Sequence, residues 1–235
     1  MIGIIAGANF YPVALEGVEQ RKAETPYGEP SDLVTLASLG GKEIAFLPRH
    51  GSQRIPPHRI NHRANIFALK SLGASQVIGI NSVGSLKKEI PPGWILIPHD
   101  FLCPWQIVSF HEDRAVHITP ALNEELRGFL VRAAAEASGK FVDKGIYIQT
   151  IGPRLETKAE IAMMSHFGDV VGMTMAQEAT LCQERALAYA SICSVDNYAH
   201  GLMDTPLLEE EIARRARENV AQIQKVLLRA LENLA

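Results

Sequence analysis

Short apolar runs alternate with stretches of helical spacing along the chain. Ile2–Ala6 is an apolar run that stops at Gly7 and predicts a first strand. Residues 33–39 and 43–47 flank Gly40-Gly41, the signature of a hairpin. Over 64–72 the apolar positions Ile66, Leu69 and Leu72 recur at helical spacing until Gly73 stops them. Residues 76–80 and 94–97 read as buried strands, and 121–138 as an amphipathic helix. A strand at 145–149, a helix at 157–167, a strand at 169–171, a helix at 177–187 and a strand at 189–195 follow. A long amphipathic helix over 207–234 ends the pattern. This alternation predicts an α/β fold with a largely parallel sheet. No linker, internal repeat or low-complexity segment interrupts it, so we read 1–235 as one domain.

Composition narrows the class. With 47% hydrophobic and 21% charged residues, the 235-residue chain has the balance of a globular protein with a substantial core. A formal net charge of −3 gives no reason to expect nucleic acid or a membrane surface as partner. Cys103, Cys182 and Cys193 lack metal-type spacing, and the last two sit in apolar runs as buried small hydrophobes. The N-terminus has no basic region or cleavage site, and no apolar stretch approaches the roughly 18 residues of a membrane span. The cytoplasm is the expected compartment.

Candidate chemistry gathers at strand ends, where α/β folds bind ligands. Pro48-Arg49-His50-Gly51 sets a cation and an imidazole after an apolar strand, a pair suited to an oxyanion such as phosphate. Asn81-Ser82-Val83-Gly84-Ser85 follows another strand, and its N–H groups and the Ser82 hydroxyl suit the same anion. Thr174 offers a further hydroxyl after 169–171. There is no Gly-x-x-x-x-Gly-Lys-Ser/Thr loop and no Gly-x-Gly-x-x-Gly after the first strand, which argues against a P-loop hydrolase and dinucleotide binding. Two distant stretches suit a purine. Glu156 offers a carboxylate that would accept from the N1–H of a 6-oxopurine. Asn197, at the end of a later strand, offers an amide for N7 and O6. Adenine has no N1–H and would leave such a carboxylate unpaired.

These segments resemble the trimeric purine nucleoside phosphorylase and methylthioadenosine phosphorylase family. The similarity rests on Ile4-Ile5-Ala6-Gly7, Pro48-Arg49-His50-Gly51, the run from Asn61 to Lys70, Gly152-Pro153-Arg154-Leu155-Glu156-Thr157 and Gly172-Met173-Thr174, in the family's order across nearly the whole chain. The resemblance implies a nucleoside-phosphorylase fold, with a mixed central sheet partly closed into a barrel and flanked by helices. It implies a homotrimer that phosphorolyses a purine nucleoside with inorganic phosphate as co-substrate, without metal or organic cofactor. It assigns phosphate to Arg49, His50, Ser82, Thr174 and the position of Ala8. Asn81 and Ser82 then stand beside the ribose, Met173 packs under the sugar, and His117 reaches into a neighbouring subunit's site. Glu156 and Asn197 both match the 6-oxopurine members; methylthioadenosine enzymes typically carry a small hydroxyl residue and an Asp there.

The departures from the pattern are specific. Ala8 lacks the hydroxyl that this loop usually gives to phosphate, and Leu155 replaces an aromatic that often stacks on the base. The start of the last helix lacks the histidine that meets a 5′-hydroxyl in enzymes for ordinary nucleosides. Leu207, Leu208 and Ile212 would instead line an apolar pocket for a methylthio group. The expected substrate order is 5′-methylthioinosine, then inosine or guanosine, with methylthioadenosine as the alternative. A one-residue shift would make Asp196 the base reader and favour adenine. A hydrolase using water in place of phosphate, and a catalytically weakened binding protein on the same scaffold, are the competing readings.

Overall fold

The computed structural model describes residues 1–7, 10–105, 108–204 and 208–234. In chain order the elements are β1 (Ile2–Ala6), β2 (Glu16–Arg21), β3 (Val34–Leu39), β4 (Lys42–Pro48), α1 (His62–Ser71), β5 (Gln76–Ser85), β6 (Ile95–Leu96) and β7 (Asp100–Leu102). They continue with α2 (Glu124–Ala137), β8 (Phe141–Val142), β9 (Ile146–Gln149), α3 (Lys158–Met164), β10 (Val170–Gly172), α4 (Met175–Glu184), β11 (Ala188–Tyr198) and α5 (Glu209–Asn233). All eleven strands join one sheet, in the order β2-β3-β4-β1-β5-β10-β9-β7, with β11 on β5 and β6, and β8 beyond β6.

The sheet is mixed rather than largely parallel. β1 runs parallel to β4 and β5, and β11 parallel to β5, but β2/β3, β3/β4, β5/β10 and β6/β11 are antiparallel. Sequence pattern missed β2, β7 and β8. β2 reads Glu-Gly-Val-Glu-Gln-Arg and is exposed throughout, so it carries no apolar signal; it is held as an edge strand by β3. β1, by contrast, is buried at every position because both faces are covered. Helices α1 and α4 pack on one face, while α2 and α5 pack on each other and on β11 at the other. No helix among the described residues is long and apolar enough to cross a membrane.

β5 organises the sheet. One edge pairs with β11 along its whole length. The other is shared: β1 covers Gln76 to Ile80, and β10 covers only Gly84 and Ser85. Between them Asn81, Ser82 and Val83 have no strand partner on that edge, and the sheet splits. The loops after β1 and β4 and the start of α4 converge on this split. The loop after β4 is held by a close backbone approach: Gly51 has φ 59°, and a Cβ there would lie 2.1 Å from the Ser31 carbonyl oxygen. Gly51→Ala is expected to cost about 1–3 kcal/mol in backbone strain alone, with the clash added. Urea unfolding measures this, and an unshifted midpoint would contradict the tight loop.

Candidate active site

Arg49 lies at the split and is 1% exposed. Its guanidinium donates to both carboxylate oxygens of Glu178, through Nε and Nη2, and to the carbonyls of Ile80 (2.8 Å) and Ile5 (3.1 Å). Four of its five N–H groups are thereby used. Nη1 keeps one N–H and lies 3.6 Å from where a Cβ on Gly7 would stand. Burial disfavours the charged guanidinium, but the Glu178 charge and hydrogen bonds outweigh it and keep Arg49 protonated. Arg49 is thus an anchor that joins β1, β5 and α4 and leaves one donor for an anion.

Glu178 also accepts from Tyr189 Oη (2.9 Å). Behind this pair lies His62, at the start of α1, with Nδ1 3.9 Å from Glu178 Oε1 and neither ring nitrogen hydrogen-bonded. Burial, with Arg49 and His50 nearby, pushes its pKa down to about 3. His50 is half-buried, and burial lowers its pKa as well. Its Nδ1 lies 2.7 Å from the Ile55 carbonyl, so the neutral ring donates there and leaves Nε2 as an acceptor for a phosphate hydroxyl.

Thr174 precedes α4 without capping it. The helix's first N–H groups are taken by other side chains: Tyr147 Oη accepts from Thr174 N (3.2 Å) and Met175 N (3.4 Å), and Gln149 Oε1 from Ala176 N (2.6 Å). Gly172 permits this approach, since a Cβ there would lie 2.3 Å from Tyr147 Oη. The Thr174 hydroxyl instead accepts from Asn81 Nδ2 (2.9 Å), and Asn81 Oδ1 accepts from Ser191 Oγ (2.8 Å). Thr174 keeps its O–H to donate. The Asn81 side chain, 2% exposed, holds Thr174 in this way. Ser82, the next residue on the strand, points oppositely and is exposed.

Glu156 and Asn197 each border a cleft. Thr157 caps α3 in a capping box with Glu160, and Arg154 pairs with Glu160 at 2.8 Å. Those two polar neighbours are therefore structural, and Glu156 turns inward, 8% exposed. Its Oε1 accepts from Thr150 Oγ1 (2.6 Å), and its backbone carbonyl accepts from His200 Nδ1 (3.1 Å). Glu156 lines a cleft of ≈ 260 Å³ with Trp105, Thr150 and Ile151. Asn197 lies three residues before His200 but lines the adjoining cleft with His200, Met203, Ile212 and Arg215. Its Nδ2 donates to the Tyr198 carbonyl (2.9 Å). Glu156 and Asn197 thus line separate clefts, and His200, which lines the second, is hydrogen-bonded to the Glu156 backbone.

β11 carries a bulge at Asp196. Val195 pairs with Val83 and Asn197 with Gly84, so Asp196 is the extra residue of a bulge. Its side chain turns towards α5, where Oδ1 accepts from Ser194 Oγ (2.6 Å) and Asn219 Nδ2 (2.8 Å). Burial raises its pKa.

Other sequence-based candidates scatter. Met173 is half-buried, and a Cβ on Gly152 would lie 2.6 Å from its sulfur. Leu155 is 46% exposed and does not line the Glu156 cleft; Trp105 is the aromatic side chain there. His117 is exposed, outside any helix or strand. Ile212 lines the Asn197 cleft, but Leu208 is 54% exposed. Ala8 and Leu207 lie outside the described residues. Sequence reasoning missed Glu178, His62, Trp105 and His200; a lone carboxylate on the apolar face of the 177–187 helix was the signal for Glu178.

The family pattern of the Phosphorylase superfamily matches residues 1–232, and the chain belongs to that superfamily. It is 44% identical over 237 residues to a probable 6-oxopurine nucleoside phosphorylase of Archaeoglobus fulgidus, covering 100% of this chain and 97% of that one. It is 40% identical over 240 residues to a probable S-methyl-5′-thioinosine phosphorylase of Methanothermobacter thermautotrophicus, covering 100% and 84%. Among solved structures, methylthioadenosine phosphorylase from Schistosoma mansoni in complex with adenine superposes with a TM-score of 0.92 at 28% identity, covering 98% of this chain and 90% of that one.

Two outcomes follow from the buried cluster. Glu178→Ala strands the Arg49 charge and is expected to cost about 3–5 kcal/mol in urea unfolding; a loss below about 1 kcal/mol would show that the pair is not a structural anchor. His62 titrates near 6.5 when unfolded but near 3 in the native chain. The unfolded state therefore binds more protons between those values, and stability falls with falling pH, by up to about 1.4 kcal/mol per pH unit. His62→Phe should flatten that slope between pH 6.5 and 4, and an unchanged slope would acquit His62.

Proposed function

We propose that this chain phosphorolyses 6-oxopurine nucleosides, 5′-methylthioinosine and inosine or guanosine among them, to the free base and the corresponding ribose 1-phosphate. The observation that carries this is Glu156, a carboxylate turned inward beside a cleft at the same sheet end as the Asn197 amide. The names of the Archaeoglobus and Methanothermobacter relatives support it. We further propose a single-domain cytoplasmic enzyme that works as a homotrimer, with the exposed His117 entering a neighbour's site.

Phosphate rests at the split against the Ser82 and Thr174 hydroxyls, the free Arg49 N–H and His50 Nε2. One phosphate oxygen attacks C1′ as the C1′–N9 bond breaks, and the bond electrons move onto the purine. A 6-oxopurine spreads that charge to O6, and the Asn197 amide donates to N7. Glu156 accepts from N1–H and fixes the ring. Placement and electrostatics supply the rate, and no covalent enzyme intermediate forms. Asn197 offers N7 an amide donor rather than an acid, which disfavours adenine, the poorer leaving group.

A substrate panel with and without phosphate tests the reading. Hypoxanthine should be released from methylthioinosine and inosine only when phosphate is present, and adenine from methylthioadenosine more slowly. Asn197→Asp should move the preference towards adenine nucleosides. Faster cleavage of methylthioadenosine than of both 6-oxopurine substrates would overturn the base assignment, and phosphate-independent release would favour a hydrolase.

A further inference from the structure

The two oxygens of the buried Asp196 carboxyl are unequal. Oδ1 accepts from Ser194 Oγ and Asn219 Nδ2, whereas Oδ2 makes no hydrogen bond of ordinary geometry. The next donor at hand is Ser82. It stands opposite Ser194 in the parallel register of β5 and β11, so both hydroxyls lie on the face towards α5. Ser82, Ser194 and Asp196 line one cavity of ≈ 50 Å³, together with Gly7 of the loop after β1. α5 closes that cavity with the apolar Ala216, Val220 and Ile223. The Ser82 hydroxyl is close enough to favour the charged form of the carboxyl, as Ser194 and Asn219 also do. Ser82 is thus shared between a buried acid and the anion site at the split.

We propose that Asp196 is a positioning residue that acts on the anion through Ser82: whether the carboxyl is protonated decides whether the single Ser82 O–H points back to Asp196 or out to phosphate. This rests on the phosphorolysis reading, which gives Ser82 to phosphate. A serine hydroxyl has one proton to donate. When Asp196 is ionised, its carboxylate takes that proton as a hydrogen bond, and Ser82 shows phosphate only lone pairs. When Asp196 is neutral, Oδ1 still accepts its two hydrogen bonds, so the proton sits on Oδ2 and is donated to Ser82 Oγ. The Ser82 O–H is then free for phosphate. Ala8 has no hydroxyl with which the loop after β1 could make up a lost donor. Burial favours the neutral carboxyl, against the hydrogen bonds from Ser194, Ser82 and Asn219, and so holds the proton to higher pH than on an ordinary aspartate. The other titratable or charged groups near it are Cys193 on the same strand, Glu211, Arg215 and His200 along the outer cleft, and Arg49 and His50 at the anion site.

Sulfate is the probe, because inorganic phosphate changes its own charge near neutral pH and sulfate does not. Its affinity is measured by calorimetry from acid to mildly alkaline pH. In the wild type it should weaken as pH rises, by roughly tenfold to a hundredfold, the worth of one hydrogen bond to a charged group. His50 adds to that slope in every variant, so the comparison between variants carries the result. In Asp196→Asn the amide donates to Ser82 at every pH; at alkaline pH this variant should bind sulfate roughly tenfold tighter than the wild type, with a shallower slope. In a Ser82→Ala background the same Asp196→Asn change should have almost no effect. A folded Asp196→Asn that binds no tighter overturns the proposal. So does an equal gain in the Ser82→Ala background, which would mean that the carboxylate acts on the anion directly. If Asp196→Asn does not fold, a wild-type slope no steeper than that of Ser82→Ala overturns it without any change at Asp196. Base release from inosine with phosphate separates the two readings: turnover without these sulfate effects refutes the role of Asp196 alone, and a wild type that neither releases base nor binds sulfate refutes phosphorolysis and this proposal with it.

Discussion

A single buried ion pair holds the site region together. Arg49 and Glu178 are both removed from water, and such a pair is retained only where its geometry satisfies nearly every donor and acceptor. Here the guanidinium ties β1 and β5 through the Ile5 and Ile80 carbonyls, and ties α4 through Glu178. The pair thus braces the sheet where it opens between β1 and β10. That opening is where the proposed anion site lies. Removing either partner would leave a buried charge beside His62, whose ring nitrogens make no hydrogen bond.

Around that anchor, neighbouring side chains are assigned so that few functional groups are left over. Tyr147 and Gln149 take the first N–H groups of α4, which frees Thr174 from capping duty. Asn81 then fixes the Thr174 oxygen and leaves its hydrogen for a ligand. At the base end, Thr157, Glu160 and Arg154 satisfy one another, and Glu156 is left to face inward. The bulge at Asp196 separates two adjacent polar residues onto different neighbours, one towards α5 and one beside Gly84.

How much of this was legible in the sequence depended on the kind of signal. β1, β4, β11 and the helices carry apolar periodicity and were predicted close to their observed limits, whereas β5 runs five residues past the predicted 76–80 and takes in Asn81 to Ser85, whose polar residues hid it. β2 is polar throughout and exists only because β3 offers it an edge, so periodicity had nothing to report. The two-residue β8 is set by tertiary pairing with β6 in the same way. The site residues were found at strand ends and in the stretches that carry the family resemblance. Their division of labour was not visible. Arg49 reads as a free cation in sequence because Glu178, its partner, is 129 positions away. Asn81 reads as a ligand group until Thr174 and Ser191 are seen to consume it.

The central claim is that the split in the sheet holds phosphate while Glu156 and Asn197 together read a 6-oxopurine. A crystal structure with hypoxanthine and phosphate tests it most directly. The account predicts phosphate against Ser82, Thr174 and the free Arg49 N–H, with hypoxanthine N1 on the Glu156 carboxylate and N7 on Asn197. Hypoxanthine bound with Glu156 turned away from the ring, or phosphate bound away from the split, would contradict it.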